Sequence, residues 1–234
     1  MSGSSGTLGK CNGYRLPATG YQREATATSY EPKEAMTSQA DFTRSIFRAA
    51  AAAHASFADG SAETVVAAAE AIGRCVGGGG KVLAFGNGGS AADAQHLVAE
   101  LVGRFEGERR ALAAVALTAD TSVLTAIAND YGYERVFARQ IEALGHPGDV
   151  ALGISTSGRS PNVVAALAAA RARGLVTIAL TGRDDRRDGV EVGAHLVDIL
   201  LHVEEASTAR VQEVHRTVLH AMCSLIDQGI GANS

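Results

Sequence analysis

From Lys81 onward, short apolar runs alternate with longer runs of helical period, and this alternation constrains the fold more than any other feature. Strands are expected at 81–86, 112–117, 149–154, 175–181 and 196–203, and helices at 90–104, 121–129, 133–144, 160–173 and 207–229. Such a succession predicts a parallel sheet wrapped by helices on both faces. The expected class is therefore α/β, a three-layer doubly wound parallel sheet. Upstream, residues 42–57 and 63–76 place apolar side chains at i, i+3 and i+4. They read as two N-terminal helices parted at Asp59-Gly60-Ser61, with the glycine run 77–80 ending the second. Residues 1–36 hold Gly, Ser, Thr and Pro with little periodicity and read as a disordered tail, which leaves one domain over 37–230.

Ligands of doubly wound sheets bind beyond the carboxyl ends of the strands. Two polar loops fall there. Ser155-Thr156-Ser157-Gly158-Arg159-Ser160 joins an expected strand to an expected helix, where free backbone N–H groups and the positive end of the helix dipole favour an anion. Its hydroxyls add donors without adding charge, which suits a phosphate that must bind and leave. The plainer alternative is a Ser N-cap on a polar turn. Gly86-Asn87-Gly88-Gly89-Ser90 makes the same strand-to-helix passage, and the two loops together describe a pocket for a phosphorylated small molecule.

Composition narrows the partners. A net charge of −4 without any Lys/Arg block argues against a nucleic-acid surface. No apolar run reaches the roughly 18–20 residues needed to span a bilayer, and the start lacks the apolar core of a secretory signal. Cys11, Cys75 and Cys223 form neither a CxxC nor an even framework, which fits a reducing cytoplasm.

His96 and Glu100 stand four apart on the helix leaving the glycine loop, and Arg104 continues that line. The row offers a metal ligand or acid, a carboxylate base and a cation for an anionic substrate; alternatively it is a solvated face with a Glu100–Arg104 ion pair. On the last helix, Gln212 and His220 are eight apart, roughly 12 Å along and 80° around an ideal helix, so spacing alone does not make them co-ligands. His215 reads as structural or as a surface residue, and His54, His146, His195 and His202 lack a convergent partner. Asn129-Asp130-Tyr131-Gly132 reads as a polar turn that either caps the next helix or lends an amide and a carboxylate to the pocket.

The string Gly86 to Glu100, with Ile154-Ser-Thr-Ser-Gly-Arg-Ser160 and Val211-Gln-Glu-Val-His-Arg-Thr-Val-Leu-His220, resembles the SIS sugar-isomerase fold and, more closely, the phosphoheptose (sedoheptulose 7-phosphate) isomerases. The resemblance covers about residues 40–228. It implies a homotetramer with active sites at subunit boundaries, forming D-glycero-D-manno-heptose 7-phosphate for bacterial surface glycans. It assigns Ser155, Thr156, Ser157 and Ser160 to the phosphate, and Asn87, Gly88, Gly89, Ser90, Arg104, Asn129, Asp130 and Gln212 to the substrate. Glu100 and His220 match the acid–base pair, and His96, Glu100, Gln212 and His220 match positions that hold zinc in some members. The chain departs from the pattern at Arg159, where relatives often carry Asn, and at Ser207-Thr208-Ala209, where they carry an Asp.

Other readings compete. Some relatives are non-catalytic assembly factors that bind the replication initiator, and Thr125-Ala-Ile-Ala-Asn-Asp130 and Ala143-Leu-Gly-His-Pro-Gly-Asp149 resemble that branch. Those binders have lost the carboxylate and terminal histidine that Glu100 and His220 supply here. Sugar-phosphate-sensing regulators carry a helix-turn-helix, for which the tail leaves no room. Gly86-x-Gly88-x-x-Ala91 loosely fits a dinucleotide fingerprint, which also needs an acidic residue about 20 positions on, at the end of the next strand. Glu106 and Glu108 precede that strand and Asp120 comes too late.

Overall fold

Every residue of the two central strands is buried, the signature of strands covered on both faces. In the computed structural model, which describes residues 38–183, 192 and 196–231, these are β1 (Val82–Gly86) and β3 (Val150–Ser155). With β2 (Ala114–Ala116), β4 (Val176–Gly182) and β5 (Ile199–Val203) they form one parallel sheet in the order β2-β1-β3-β4-β5. The tail expected at 1–36, Cys11 and His195 lie outside the described residues.

Alternation along each strand divides the core in two. Val82, Ala84, Val150, Leu152 and Ile154 point to one face, where they meet α1 (Gln39–Gly77), α2 (Gly89–Val102) and α6 (Thr208–Gly231). Leu83, Phe85 and Ala151 point to the other and meet α3 (Thr121–Tyr131), α4 (Ala138–Leu144) and α5 (Pro161–Ala172). Gly153 lets α5 lie close, because a Cβ there would come within 3.1 Å of Phe85 and Val163. The three-layer doubly wound sheet is therefore the fold of the chain.

Strand and helix ends shift by a few residues, as at β2, β5 and α3, and three differences go further. The two N-terminal helices are one, α1, 39 residues long and capped by Ser38, whose hydroxyl accepts from the Asp41 N–H. Gly60 does not break it: its surroundings are open, and one helical glycine costs only about 1 kcal/mol against alanine. The chain leaves the helix further on, and Gly79 adopts φ +85°, a conformation that favours glycine. The helix expected at 133–144 divides into a 3-10 turn, Tyr133–Arg135, and α4. The helix expected at 90–104 stops at Val102.

At the amino end of the sheet, Asp149 ties β1 to β3. Its carboxylate accepts from Lys81 Nζ at 2.6 Å and from the backbone N–H groups of Lys81 and His146, both at 2.9 Å. Burial alone would raise its pKa. The hydrogen bonds from Lys81 and His146 outweigh burial and hold it below the usual carboxylate range.

Candidate active site

Strand order decides where a ligand can enter. β1 and β3 are neighbours, but β1 runs into α2 on one face and β3 into α5 on the other. Their carboxyl ends therefore part at the switch point of the sheet, and both polar loops border that crevice.

On the β3 side, Ser160 occupies the N-cap position of α5, yet its hydroxyl makes no cap hydrogen bond. It pairs with the Ser155 hydroxyl at 3.0 Å instead, across the loop. The Ser157 hydroxyl accepts from the Arg159 N–H at 3.2 Å, and Gly158 turns the chain at φ +65°. Pro161 follows at the first helical position, where no N–H is needed. The plain capping explanation thus fails for Ser160, and a hydroxyl-lined turn is left at the positive end of a 12-residue helix.

On the β1 side, Gly86 accepts the close approach of β3 and α2: a Cβ would lie 2.7 Å from the Ile154 carbonyl oxygen. Gly88 adopts φ +56° and opens α2 without a side-chain cap. Asn87, between them, exchanges two hydrogen bonds of 2.9 Å with Asn162 of α5, which closes one loop onto the other across the switch point. Tyr133 Oη donates to Asn87 Oδ1 at 3.2 Å. Asn129 and Asp130 do not form a turn. They lie exposed in the last turn of α3, where the Asn129 amide donates to Asp130 at 2.8 Å, and Gly132 (φ +86°) makes the turn instead.

α2 and α6 pack as parallel neighbours, and their facing residues form a ladder. Gln212 lies over Gly89, where a Cβ would come within 2.3 Å of its amide nitrogen. Arg216 pairs with the buried Asp93. His96 Nε2 then meets His220 Nε2 at 2.8 Å and Glu100 Oε1 at 3.4 Å, with the Phe105 ring beside His220. Farther on, Arg109 pairs with Asp227 at 2.6 Å and donates to the Glu100 and Leu101 carbonyls. Burial, then the Arg216 guanidinium, holds the His96 imidazole below its ordinary pKa against the opposite pull of Glu100 and Asp93. A neutral imidazole is the form that binds a metal or accepts a proton.

His96 and Glu100, four apart on α2, and His220, 124 residues beyond His96, therefore converge. Arg104 does not join them: α2 has ended, and its guanidinium donates to the Glu106 carbonyl and pairs with Glu108 at 3.8 Å. Gln212 stays at the glycine loop, about two turns from His220, as the spacing of eight requires. Two imidazoles and a carboxylate are the donor types zinc takes. Tetrahedral geometry would part the two nitrogens to about 3.3 Å, a small opening of the present pair. Among the described residues no group of three or more His, Cys, Asp and Glu forms a metal cage as it stands. The donor chemistry of the three suits zinc, but as they stand they do not close around an ion.

His215 is structural. It is fully buried on α6 and its Nε2 meets the Thr181 carbonyl oxygen at 3.0 Å; burial lowers its pKa. Asn162, Tyr133, Asp93 and Arg216 escaped the sequence reading. Asn162 alone carried a signal, a polar residue in the first turn of an otherwise apolar helix. Two grooves lie at the opposite end of the sheet: about 790 Å³ between the last turns of α1 and α6, and about 720 Å³ at the starts of β4 and β5. Neither is lined by the serine loop or by the His96–His220 pair.

Comparison with known proteins agrees with this geometry. Residues 46–182 match the SIS domain family. The chain is 57% identical over 167 residues to a phosphoheptose isomerase of Neisseria gonorrhoeae, an alignment covering 70% of this chain and 83% of that protein. A solved phosphoheptose isomerase structure from Neisseria gonorrhoeae superposes with a TM-score of 0.74 at 47% identity, covering 82% of this chain and 100% of the other. One from Francisella tularensis gives 0.75 at 37% identity, covering 82% and 99%. A parallel sheet with two polar loops at its switch point, in a chain this similar to those relatives over most of their length, places the chain in the phosphoheptose isomerase family of SIS domain proteins.

Proposed function

We propose that this protein is an aldose–ketose isomerase that converts D-sedoheptulose 7-phosphate to D-glycero-D-manno-heptose 7-phosphate, the first step of bacterial heptose synthesis for surface glycans. The observation that carries the reading is the convergence of His96, Glu100 and His220 on the seam of α2 and α6, α2 being the helix that leaves the glycine loop. Ser155, Thr156, Ser157 and Ser160 hold the phosphate. Asn87, Gly88, Gly89 and Ser90 contact the sugar, as do Asn129, Asp130, Gln212 and Arg104. A proton leaves C1 of the ketose while O2 is protonated, which gives an enediol. O1 then loses its proton, and C2 takes one to leave the aldehyde at C1. A carboxylate and an imidazole suit these transfers near neutral pH, and Glu100 and His220 carry them. Zinc, where His96, Glu100 and His220 hold it, would supply a Lewis acid for the carbonyl oxygen. A Glu100 or His220 that ligates the metal is the poorer base or acid, so metal binding and proton transfer compete for these two side chains.

The site is completed in a homotetramer. Within one chain Arg104 pairs with Glu108 and the Glu106 carbonyl, and Phe42, Ile46 and Phe47 stand exposed on the first turns of α1. Among the described residues no helix is long and apolar enough to cross a membrane. The cytoplasm is the proposed location, on the cysteine usage, with no nucleic-acid partner.

NMR of the purified protein with sedoheptulose 7-phosphate is expected to reveal a new aldose phosphate, and zinc chelation is expected to slow its appearance. No product with zinc supplied would overturn the enzyme reading in favour of the assembly factor. A monomer in sedimentation at micromolar concentration would remove the shared site.

A further inference from the structure

Asn87 has little hydrogen-bonding capacity left. A primary amide offers two lone pairs on oxygen and two N–H donors on nitrogen. Asn87 Oδ1 accepts twice, from Asn162 Nδ2 at 2.9 Å and from Tyr133 Oη at 3.2 Å. Asn87 Nδ2 spends one N–H on Asn162 Oδ1, also at 2.9 Å. Its carbonyl is filled and one N–H remains. Asn162 can impose this because it is only 3% exposed and sits at the second position of α5, two residues beyond Ser160. Without it, the Asn87 amide would lose both of its bonds across the switch point.

We propose that Asn162 is a positioning residue which, with Tyr133, holds the Asn87 amide at the crevice with one hydrogen-bonding group left over to meet a hydroxyl of the sugar. The proposal rests on the reading of Asn87 as a sugar contact. It also gives the clasp between the two loops a purpose. The helix whose start carries the phosphate loop also sets where the Asn87 amide lies, so sugar and phosphate are held by one rigid unit.

The test is steady-state kinetics on Asn87→Ala, Asn162→Ala and the double variant, with inorganic phosphate as competitive inhibitor. Asn87→Ala and Asn162→Ala should each raise KM by about five- to tenfold with kcat within about threefold, the range for one lost hydrogen bond. The inhibition constant of inorganic phosphate should stay within about twofold, and Asn162→Ala should add less than about twofold in the Asn87→Ala background. Unchanged KM in Asn87→Ala overturns the reading of Asn87 and the proposal with it. Raised KM in Asn87→Ala with unchanged KM in Asn162→Ala overturns the proposal alone, as does an Asn162→Ala effect equal in both backgrounds. Weaker inorganic phosphate binding in Asn162→Ala does so too, since it marks a disturbed serine loop. Should Asn162→Ala fail to fold, Tyr133→Phe decides, because that ring is 61% exposed. It should raise KM by about two- to threefold, and only while Asn87 is present; an unchanged KM overturns the proposal.

Discussion

The two ends of the sheet solve opposite problems with opposite chemistry. At the amino end, polar groups are charged and committed: Asp149 holds Lys81 and two backbone N–H groups, while Asp198 accepts from the Thr177 N–H and hydroxyl and pairs with Arg171 at 3.2 Å. At the carboxyl end, the loops offer hydroxyls and amides, and Ser160 gives up the cap it is placed to make. The first arrangement fixes strands. The second keeps donors available for a ligand.

The largest effect that could break this comparison lies at the carboxyl end. Glu100→Gln and His220→Gln should each lower turnover by roughly 10²-fold or more with folding and phosphate binding retained, in keeping with loss of an acid–base group. Wild-type turnover in either variant would remove that residue from the pair. Next comes the amino end, where Asp149→Asn should cost about 2–3 kcal/mol in denaturant unfolding, because a buried lysine contact loses its counter-charge. KM for the sugar phosphate should not move. If it does, the two ends are coupled.

Ser157→Ala should weaken sugar-phosphate binding by about 1–2 kcal/mol in calorimetry, the worth of a hydrogen bond to a charged group. Affinity unchanged by the substitution, for substrate and for inorganic phosphate alike, would take Ser157 out of the anion site. The smallest effect is that of acid. The Asp149 and Asp198 carboxyls are both held low when folded, Asp198 because bonds from Thr177 and the Arg171 charge outweigh burial. Their contribution is complete above the unfolded value of about 3.9 and is lost as pH falls through the lower folded values. Unfolding followed by circular dichroism should therefore steepen below about pH 4, and Asp149→Asn should flatten that limb.

Most of the fold was legible because each strand and helix announces itself by period, and both ligand loops were found because glycine and serine interrupt that period. Gly60 misled because sequence cannot tell a glycine that must turn from one that merely sits in a helix. Arg104 misled for a related reason: periodicity continues past Val102 although the backbone does not. His96 and His220 were each visible, but their meeting depends on how α2 lies against α6. The Asn87–Asn162 clasp joins residues 75 apart through strand order, which no local pattern encodes.

The ladder between α2 and α6 makes the last helix a ruler. Gln212 marks one graduation at Gly89, Arg216 the next at Asp93, and His220 the one that delivers an imidazole to His96. One residue inserted between Gln212 and His220 would advance the helix by about 1.5 Å and turn it by about 100°, which takes His220 off the seam while Gln212 stays in place. Substitutions along this stretch change what is held at each mark. Changes of length alter the scale itself, so this segment should tolerate new side chains far better than a single insertion or deletion.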